Sequence, residues 1–480
     1  MPRLRRLVLP ALAAVALTLA SCTPAPPDPP EGGPETPPVG TVVNENASIT
    51  VGTLHAPVDL ADPEDPGSAE ALTGNVYESL FRLAETGEAV PLLAKNFERS
   101  ADGLVYTIPL RTDATFSDGS PLTADDVVAS LAPLLAEDGP VTAVNAVAGD
   151  TVEIDLDRPV VSLPHTLAGV WIHRDELGTG PYTIGTFSSG SSLTLDRNPA
   201  YWQEPAKNAH VEFREYPAAA DLVAAIESGR VDLSPAMPPL PVNPSNGVVV
   251  SEAASTTRVL LAFNDEAPPF DDPEVRVALS HAIDDDAIRT ALWGDAGTPI
   301  SSMALPSEPW HEDLSDIDAY EPDAARAALQ PLGLDAPIVV VDGPLVQAAQ
   351  LIAQQLEAAG VTAPVEKISA DQWRERVVDD RDFVLALGTV SGDHRVASIG
   401  DPGAWWGYHN PDVMGWSGQV EAMSNEAEQT ELMRLIDLTS ANEAANEWLF
   451  LEPREIVASA DVAGYPLTGP FLTAGIEKSE

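Results

Sequence analysis

Ile338-Val-Val-Val341 opens a stretch that runs to Phe383-Val-Leu-Ala-Leu387 and alternates two kinds of pattern. The short apolar runs at 338–341, at Val365-Glu-Lys-Ile368 and at 383–387 read as strands. Between them lie two helical segments, one ending at Gly360 and one passing through Trp373 and Val377. Strands separated by helices in this way run parallel, because each helix carries the chain back along the sheet, so this part of the chain is an α/β lobe. In such sheets ligands sit beyond the carboxyl ends of strands, which directs attention to the loop after Leu387.

Working outward, Asp272-Pro273-Glu274 is a helix start: the aspartate caps, and the proline occupies a first-turn position whose amide needs no partner. Val275, Ala278, Leu279, Ala282 and Ile283 continue at helical spacing, and Arg276 is placed to pair with an acid on or near that helix. Nearer the amino terminus, Leu104, Tyr106, Ile108 and Leu110 alternate strictly, as do Val152, Ile154 and Leu156 against Glu153, Asp155 and Asp157. Both runs predict half-buried antiparallel strands. Between them Asp118-Gly119 makes a turn, and Thr123-Ala-Asp-Asp126 is a capping box stapled by Leu122 and Val127, which predicts a helix from Ala124 to Leu135. Ser48-Ile-Thr-Val-Gly52 reads as a first strand, and the spacing of Leu72, Val76, Leu80 and Leu83 predicts a helix packed on it.

The chain carries 25 Lys and Arg against 74 Asp and Glu, a formal charge of −49. Phosphate backbones and anionic lipid surfaces repel such a chain, which excludes nucleic acid as a partner. A well-solvated surface or adaptation to salt accounts for the charge most simply, and affinity for cationic ligands is the alternative. The single cysteine, Cys22, leaves stability to burial and hydrogen bonding, without a disulfide. It follows an apolar run, Leu7 to Leu19, that is too short to span a bilayer comfortably and is preceded by Arg3, Arg5 and Arg6, so residues 1–21 read as a secretory signal. Leu19-Ala20-Ser21-Cys22 resembles a bacterial lipobox, which makes Cys22 the lipidation site and places the protein extracytoplasmic, lipid-anchored to the outer face of the bacterial cell membrane. An ordinary secretory signal with an incidental thiol is the competing reading. Residues 22–46 are rich in proline and read as an extended tether, with folded structure beginning near Ala47. The body that follows, about 430 residues, is large enough for two or three domains.

Several blocks, read together, resemble the family 5 extracellular solute-binding proteins, the peptide- and nickel-binding class that serves ABC importers. They are Val76-Tyr-Glu-Ser-Leu80, Val90-Pro-Leu-Leu-Ala-Lys-Asn-Phe97, Asp102-Gly-Leu-Val-Tyr-Thr-Ile108 and Phe116-Ser-Asp-Gly-Ser-Pro-Leu-Thr-Ala-Asp-Asp-Val127. Gly178-Thr-Gly-Pro-Tyr182, Arg197-Asn-Pro-Ala-Tyr-Trp202, Ala225 to Leu233, Ala262-Phe-Asn264, Pro269 to Asp284 and Gly407-Tyr-His-Asn-Pro411 extend the match to nearly the whole body. The resemblance implies an α/β, bilobal periplasmic-binding-protein-like clamp of type II, cluster C-like, with an extra inserted domain. Mapped here, residues 47–62, 163–253 and 446–480 make the first domain, 63–162 the inserted second, and 254–445 the closing third. It further implies a substrate-binding protein that captures an oligopeptide or peptide-like solute between its lobes and delivers it to an ABC permease and ATPase complex. Such a protein is a monomer, binds no cofactor and is not an enzyme.

The same resemblance nominates ligand contacts. Gly388-Thr-Val-Ser-Gly-Asp393 aligns with a segment that in peptide-binding relatives carries Gly-Trp-x-x-Asp, whose aspartate holds the peptide α-ammonium. Here Thr389 replaces the aromatic and Asp393 falls one residue late, so a solvated loop acid is the alternative. Trp405 and Trp406 either line a pocket or anchor their loop onto the core. His55, just past the first strand, and Trp310 sit where the family's cleft walls lie, against a plain packing role. Asn264 instead ties hinge backbone groups.

The eight histidines show no pair at ligand spacing on one helix, and a meeting of His394 with His409 in the lid is a weak basis for a site. No protein-held metal is therefore expected, and a metal enters only as a chelate cargo. A secreted hydrolase is the enzymatic rival, but the chain lacks Gly-x-Ser-x-Gly, His-Glu-x-x-His and a glycine-rich phosphate loop. A sensor or surface chaperone using the same clamp is the third reading.

Overall fold

The computed structural model describes residues 44–84, 88–135, 139–147, 150–243, 247–391, 396–401, 403–423 and 425–479. The signal, Cys22, the tether up to residue 43, Asp393 and His394 lie outside the described residues. Among the described residues no helix is long and apolar enough to cross a membrane.

Three sheets carry the cores. The first has seven strands in the order 248–253, 454–459, 233–237, 48–53, 210–215, 192–197, 182–188. Ser48–Thr53 lies parallel to both of its neighbours, His210–Glu215 and Leu233–Met237, and the remaining pairs are antiparallel. Alternation along these strands puts Ile49, Val51, Leu195, Phe213 and Leu233 into one core.

The second sheet is antiparallel and four-stranded, formed by 98–99, 105–109, 151–156 and 141–147. Tyr106, Ile108, Val152, Ile154 and Leu156 turn inward against Val127, as their spacing predicts. The capping box forms: Thr123 accepts from the Asp126 amide while the Asp126 carboxylate accepts from the Thr123 amide. The helix runs only over Ala124–Ser130 and gives way to a 3-10 turn at Ala132–Leu134, where Pro133 has no amide to continue the ladder.

The third sheet has six strands in the order 298–299, 446–451, 258–263, 385–390, 338–341, 365–368. The last three are mutually parallel, as the strand and helix alternation predicts, while the first three pair antiparallel, so the sheet is mixed. Arg258–Phe263 is buried at every residue because both faces are covered. Val259, Leu261 and Phe263 pack with Leu279, Ile352 and Leu356 on one side, and Leu260 and Ala262 with Trp406, Tyr408 and Ile436 on the other.

Four expectations change. The helix expected through Leu83 stops at Leu72, because Thr73 turns extended and Gly74 takes φ 71°. Val76 and Leu80 are nevertheless buried, from irregular backbone, and Phe81–Leu83 is a strand. Arg276 pairs with main-chain carbonyls, donating to Phe270 (2.9 Å), Glu443 (3.2 Å) and Ala444 (3.1 Å). The strand ending at Leu387 continues to Val390, so Gly388 and Thr389 are strand residues paired with Leu260 and Val259. Asn446–Leu451 joins the third sheet, so the chain returns to the first sheet after residue 451 and not at 446.

The chain therefore crosses between the seven- and six-stranded sheets twice, at 254–257 and at 452–453. The crossings lie side by side: the Glu452 amide donates to the Thr257 carbonyl (2.8 Å) and Arg454 Nη2 to Thr257 Oγ1 (3.2 Å). Two adjacent crossings between separate cores are the arrangement that a hinge requires.

Candidate functional site

The parallel pair Ser48–Thr53 and Leu233–Met237 ends beside this hinge, and a cavity of about 350 Å³ lies there. Pro235, Ala236, Ala254, Ile456 and Phe471 give it apolar walls, and Glu70, Thr73 and Thr468 line it as well. Carboxyl ends of parallel strands leave such a space because the connections to the next elements diverge there. Glu70 is carried by helix Pro66–Leu72, whose start is fixed by Asp65: its carboxylate accepts from the amides of Val58 (2.8 Å) and Ser68 (3.2 Å). Burial pushes the Glu70 carboxyl up to about 7 despite the Thr53 hydroxyl beside it, and Glu70 Oε1 is enclosed with no hydrogen-bond partner.

Glu78, on the segment that follows the same helix, shows the opposite treatment. It accepts from Thr179 Oγ1 (2.8 Å), Tyr201 OH (2.9 Å) and Trp202 Nε1 (2.8 Å), and burial raises it only to about 6. This fully satisfied carboxylate joins three segments and is a structural pin.

Across the hinge, the strand Leu385–Val390 leads into Ser391, whose Oγ lies 3.1 Å from Thr257 Oγ1. At this end Trp373 and Trp405 meet edge to face, with centroids 5.4 Å apart, and Trp405 meets Trp406 at 6.0 Å. Both Trp373 and Trp405 press on Gly388: a Cβ there would sit 2.8 Å from Trp373 and 3.0 Å from Trp405. Trp406 is buried and anchors its loop, whereas Trp405 is half-buried and Thr389 exposed. Trp310 packs against the same core, with its Nε1 enclosed and unpartnered. Trp405, Trp406 and Trp310 all belong to the core on one face of the third sheet, whereas Thr389, next after Gly388 and paired with Val259, lies on the other face, and His55 stands exposed on the first sheet's side. Asn264 donates to the carbonyls of Arg381 (3.1 Å) and Phe383 (2.8 Å), tying strand ends within the third sheet and not the hinge.

His409 lies 3.0 Å from Asp265 and 3.3 Å from Glu266. A group that the histidine census does not reveal is acidic: Asp285, Asp318 and Glu447 place ligand oxygens within 4.8 Å of one another. Burial pushes Glu447 and Asp285 well above the usual carboxylate range and Asp318 to about 6. Oxygen clusters of this kind suit shared protons or a hard cation. Glu447 pairs with Leu261, so the group occupies the face of the sheet opposite the tryptophans.

Nothing in the sequence singles out Glu70, an acid in a short run of small residues, Gly67-Ser-Ala-Glu-Ala71. The carboxylate trio is equally hidden, since its members are 33 and 129 positions apart or more in the chain and only the sheet register unites them.

The family of bacterial extracellular solute-binding proteins, family 5 middle, matches residues 88–399. The chain belongs to this family. Family 5 proteins are solute-binding proteins, not enzymes. The glutathione-binding protein GsiB of Salmonella typhimurium (strain LT2) is 26% identical over 314 residues, 59% of this chain and 61% of that protein. A putative ABC transporter peptide-binding protein of Brucella ovis is 28% identical over 281 residues, 51% of this chain and 52% of its own length. The chain thus spans less than two thirds of the curated relatives it matches. Among solved structures, the ABC transporter substrate-binding protein CtaP of Listeria monocytogenes superposes with a TM-score of 0.79 at 21% identity, covering 91% of this chain and 100% of that one. AppA of Bacillus subtilis, in complex with a nonapeptide, gives 0.74 at 16% identity, covering 92% and 100%. NikA of Brucella suis, in complex with Fe(III)-EDTA, gives 0.79 at 18%, covering 91% and 100%. This likeness shows a family 5 fold, α/β and bilobal, over nearly the whole body.

Proposed function

We propose that this family 5 protein is the substrate-binding component of an ABC importer, closing two lobes around an oligopeptide or peptide-like solute and presenting it to a membrane permease. The observation that carries the reading is the cavity beyond the parallel strand ends, next to two side-by-side crossings between separately cored sheets. A hinge at that place lets the lobes swing while the pocket walls stay intact, and a solute stabilises the closed form by its extra affinity for it.

In this reading the three sheets are three domains: the seven-stranded one receives the solute's charged end, the four-stranded one is the insertion, and the six-stranded one closes with Trp405 and Thr389 on its rim. Trp310, His55 and Asp393 are further candidates for contact with a longer solute. Cys22 carries the lipid that holds a monomeric body to the outer face of the membrane by its proline-rich tether.

Small-angle scattering with and without a pool of di- to pentapeptides tests the clamp. A smaller radius of gyration on saturation supports it; binding with unchanged dimensions rejects it. Deleting the gene abolishes uptake of the bound peptide if the protein serves transport, and a mass spectrum of the mature amino terminus reports the lipid on Cys22.

A further inference from the structure

We propose that Arg454, Thr257 and Ser391 form a side-chain latch across the hinge, which holds the two lobes at the angle seen here, and that the wall of the neighbouring cavity acts on it. The inference rests on the clamp reading and adds to it the residues that set its resting position.

The contacts run from one sheet to the other. Arg454 opens the strand 454–459 of the seven-stranded sheet, Thr257 ends the first crossing, and Ser391 directly follows the strand 385–390 of the six-stranded sheet. Arg454 Nη2 donates to Thr257 Oγ1 at 3.2 Å, and Thr257 Oγ1 lies 3.1 Å from Ser391 Oγ. The same Nη2 lies 3.1 Å from the Glu452 carboxylate on the second crossing, which aims the guanidinium at Thr257. The Thr257 amide reaches Ser255 Oγ at 3.3 Å, so the threonine is fixed from its own side as well. Thr257 is buried and the Glu452 side chain is only 13% exposed, so a charged donor works here with less competition from water than in an exposed ion pair.

Rotation of the sheets about the two crossings carries Arg454 with one sheet and Ser391 with the other, while Thr257 sits between them. Hydrogen bonds weaken steeply once donor and acceptor are drawn apart or tilted, so the two bonds do not both survive a change of angle. The main-chain bond between the crossings, from the Glu452 amide to the Thr257 carbonyl at 2.8 Å, shares both of its residues with this brace and reports on it.

The same two segments wall the cavity. Ala254 on the first crossing and Ile456, just past Arg454, both line the space of about 350 Å³. Ala254 also lines a second cavity of about 310 Å³, which Glu252, Thr298, Glu452 and Arg454 border, so the first crossing separates the two. A solute packed against Ala254 and Ile456 therefore presses on the backbone that carries Thr257 and Arg454.

The test uses the full-length protein, Thr257→Val, which keeps the shape and removes the hydroxyl, and Thr257→Ser, which returns it. Each is measured by small-angle scattering, alone and with a pool of di- to pentapeptides, and by hydrogen exchange at the Glu452 amide. Without peptide, the valine variant is expected to differ from the wild type in radius of gyration and to exchange that amide roughly tenfold to a hundredfold faster, and the serine variant to restore both. Arg454→Met is expected to match the valine variant and stands in for it if valine does not fold; combining the two moves the resting dimensions no further than either alone. A valine variant that scatters and exchanges as the wild type does, or a serine variant altered as far as the valine one, overturns the latch and leaves the clamp standing as long as the wild type contracts on saturation. If the wild type binds peptide with unchanged dimensions, the clamp fails instead, and the resting comparison of the valine and serine variants decides the latch alone.

Discussion

Arg99, at the edge of the four-stranded sheet, donates Nη2 to the main-chain carbonyl of Met423, 2.8 Å away at the end of helix Pro411–Ala422. The contact joins the second unit to the third across 324 residues of sequence, and neither partner belongs to the hinge. It acts only when the two units stand in this mutual position, so it contributes to that arrangement and nothing to either unit by itself.

Replacing Arg99 by alanine is therefore expected to leave the melting of each unit nearly unchanged and to speed solute release. A charged donor lost from a half-buried contact is worth about 1–2 kcal/mol, or roughly five- to thirtyfold in the dissociation rate. Stopped-flow tryptophan fluorescence measures it, and an unaltered release rate removes Arg99 as a latch.

Gly388→Ala places a methyl group 2.8 Å from Trp373 and 3.0 Å from Trp405, inside contact distance of two rings that already brace each other. One ring must move. The expected cost is about 1–3 kcal/mol with a shift in tryptophan emission, because overpacking is relieved by displacement. Differential scanning calorimetry together with the emission spectrum checks this; a lower melting temperature without a spectral change places the strain elsewhere.

The sequence patterns that proved readable are those whose cause is local. The capping box at Thr123 and Asp126, the Asp272 cap and the strict alternation around Tyr106 and Ile154 depend on neighbours a few positions away, and each appears where its pattern puts it. The helix expected through Leu83 was set aside by tertiary burial: Val76 and Leu80 are apolar because they fill a core from irregular backbone, and helical spacing alone does not distinguish that case. In the same way Asn446–Leu451 is buried at every residue, so it carries no alternation to announce which sheet it joins. That Trp405 and Trp406 pack as neighbouring rings is legible in the sequence, yet Trp373 joins them only because the helix beginning at Ala370 faces Gly388. Glu70 keeps one enclosed oxygen without a partner, and no sequence pattern records a missing contact.

Arg258 starts the central strand of the third sheet and is fully buried. It donates Nε to the Met303 carbonyl (2.6 Å) and Nη1 to the Thr256 carbonyl (3.2 Å), and Nη2 lies 4.0 Å from Glu308. Arg258→Leu leaves two carbonyls without their donor and takes the cation from beside a nearly enclosed carboxylate, so a loss of about 3–5 kcal/mol is expected in denaturant titrations followed by tryptophan fluorescence. Arg258→Lys recovers only part of it, since one ammonium does not span three acceptors at these positions. A leucine variant as stable as the wild type contradicts this account.

Ser280 Oγ lies 2.6 Å from Asp318 and also contacts Glu447, yet a hydroxyl has one proton to give, so one of the two carboxyls must itself be protonated. Burial drives Glu447, Asp285 and Asp318 the same way, and it raises Glu78 and Asp437 to about 6 as well. For an acid raised on folding, the native state holds more protons than the unfolded one, so the stability it contributes is complete below the unfolded value, near 4, and is lost as pH climbs toward the folded value. Surface acids such as Asp113 and Asp118, lowered by Arg111 and by Ser120, work in the reverse sense, but their stabilisation is lost only as pH falls below about 4. The wild type is thus expected to be more stable at pH 5 than at pH 7, by about 1.4 kcal/mol per pH unit for each proton held by the native state alone. Glu447→Gln removes one such proton and flattens the slope, and calorimetry across pH 5–7 measures both. A wild type that grows more stable from pH 5 to 7 refutes proton sharing in the cluster, and a slope that disappears on adding millimolar calcium shows that the three carboxylates accept a cation in place of the proton.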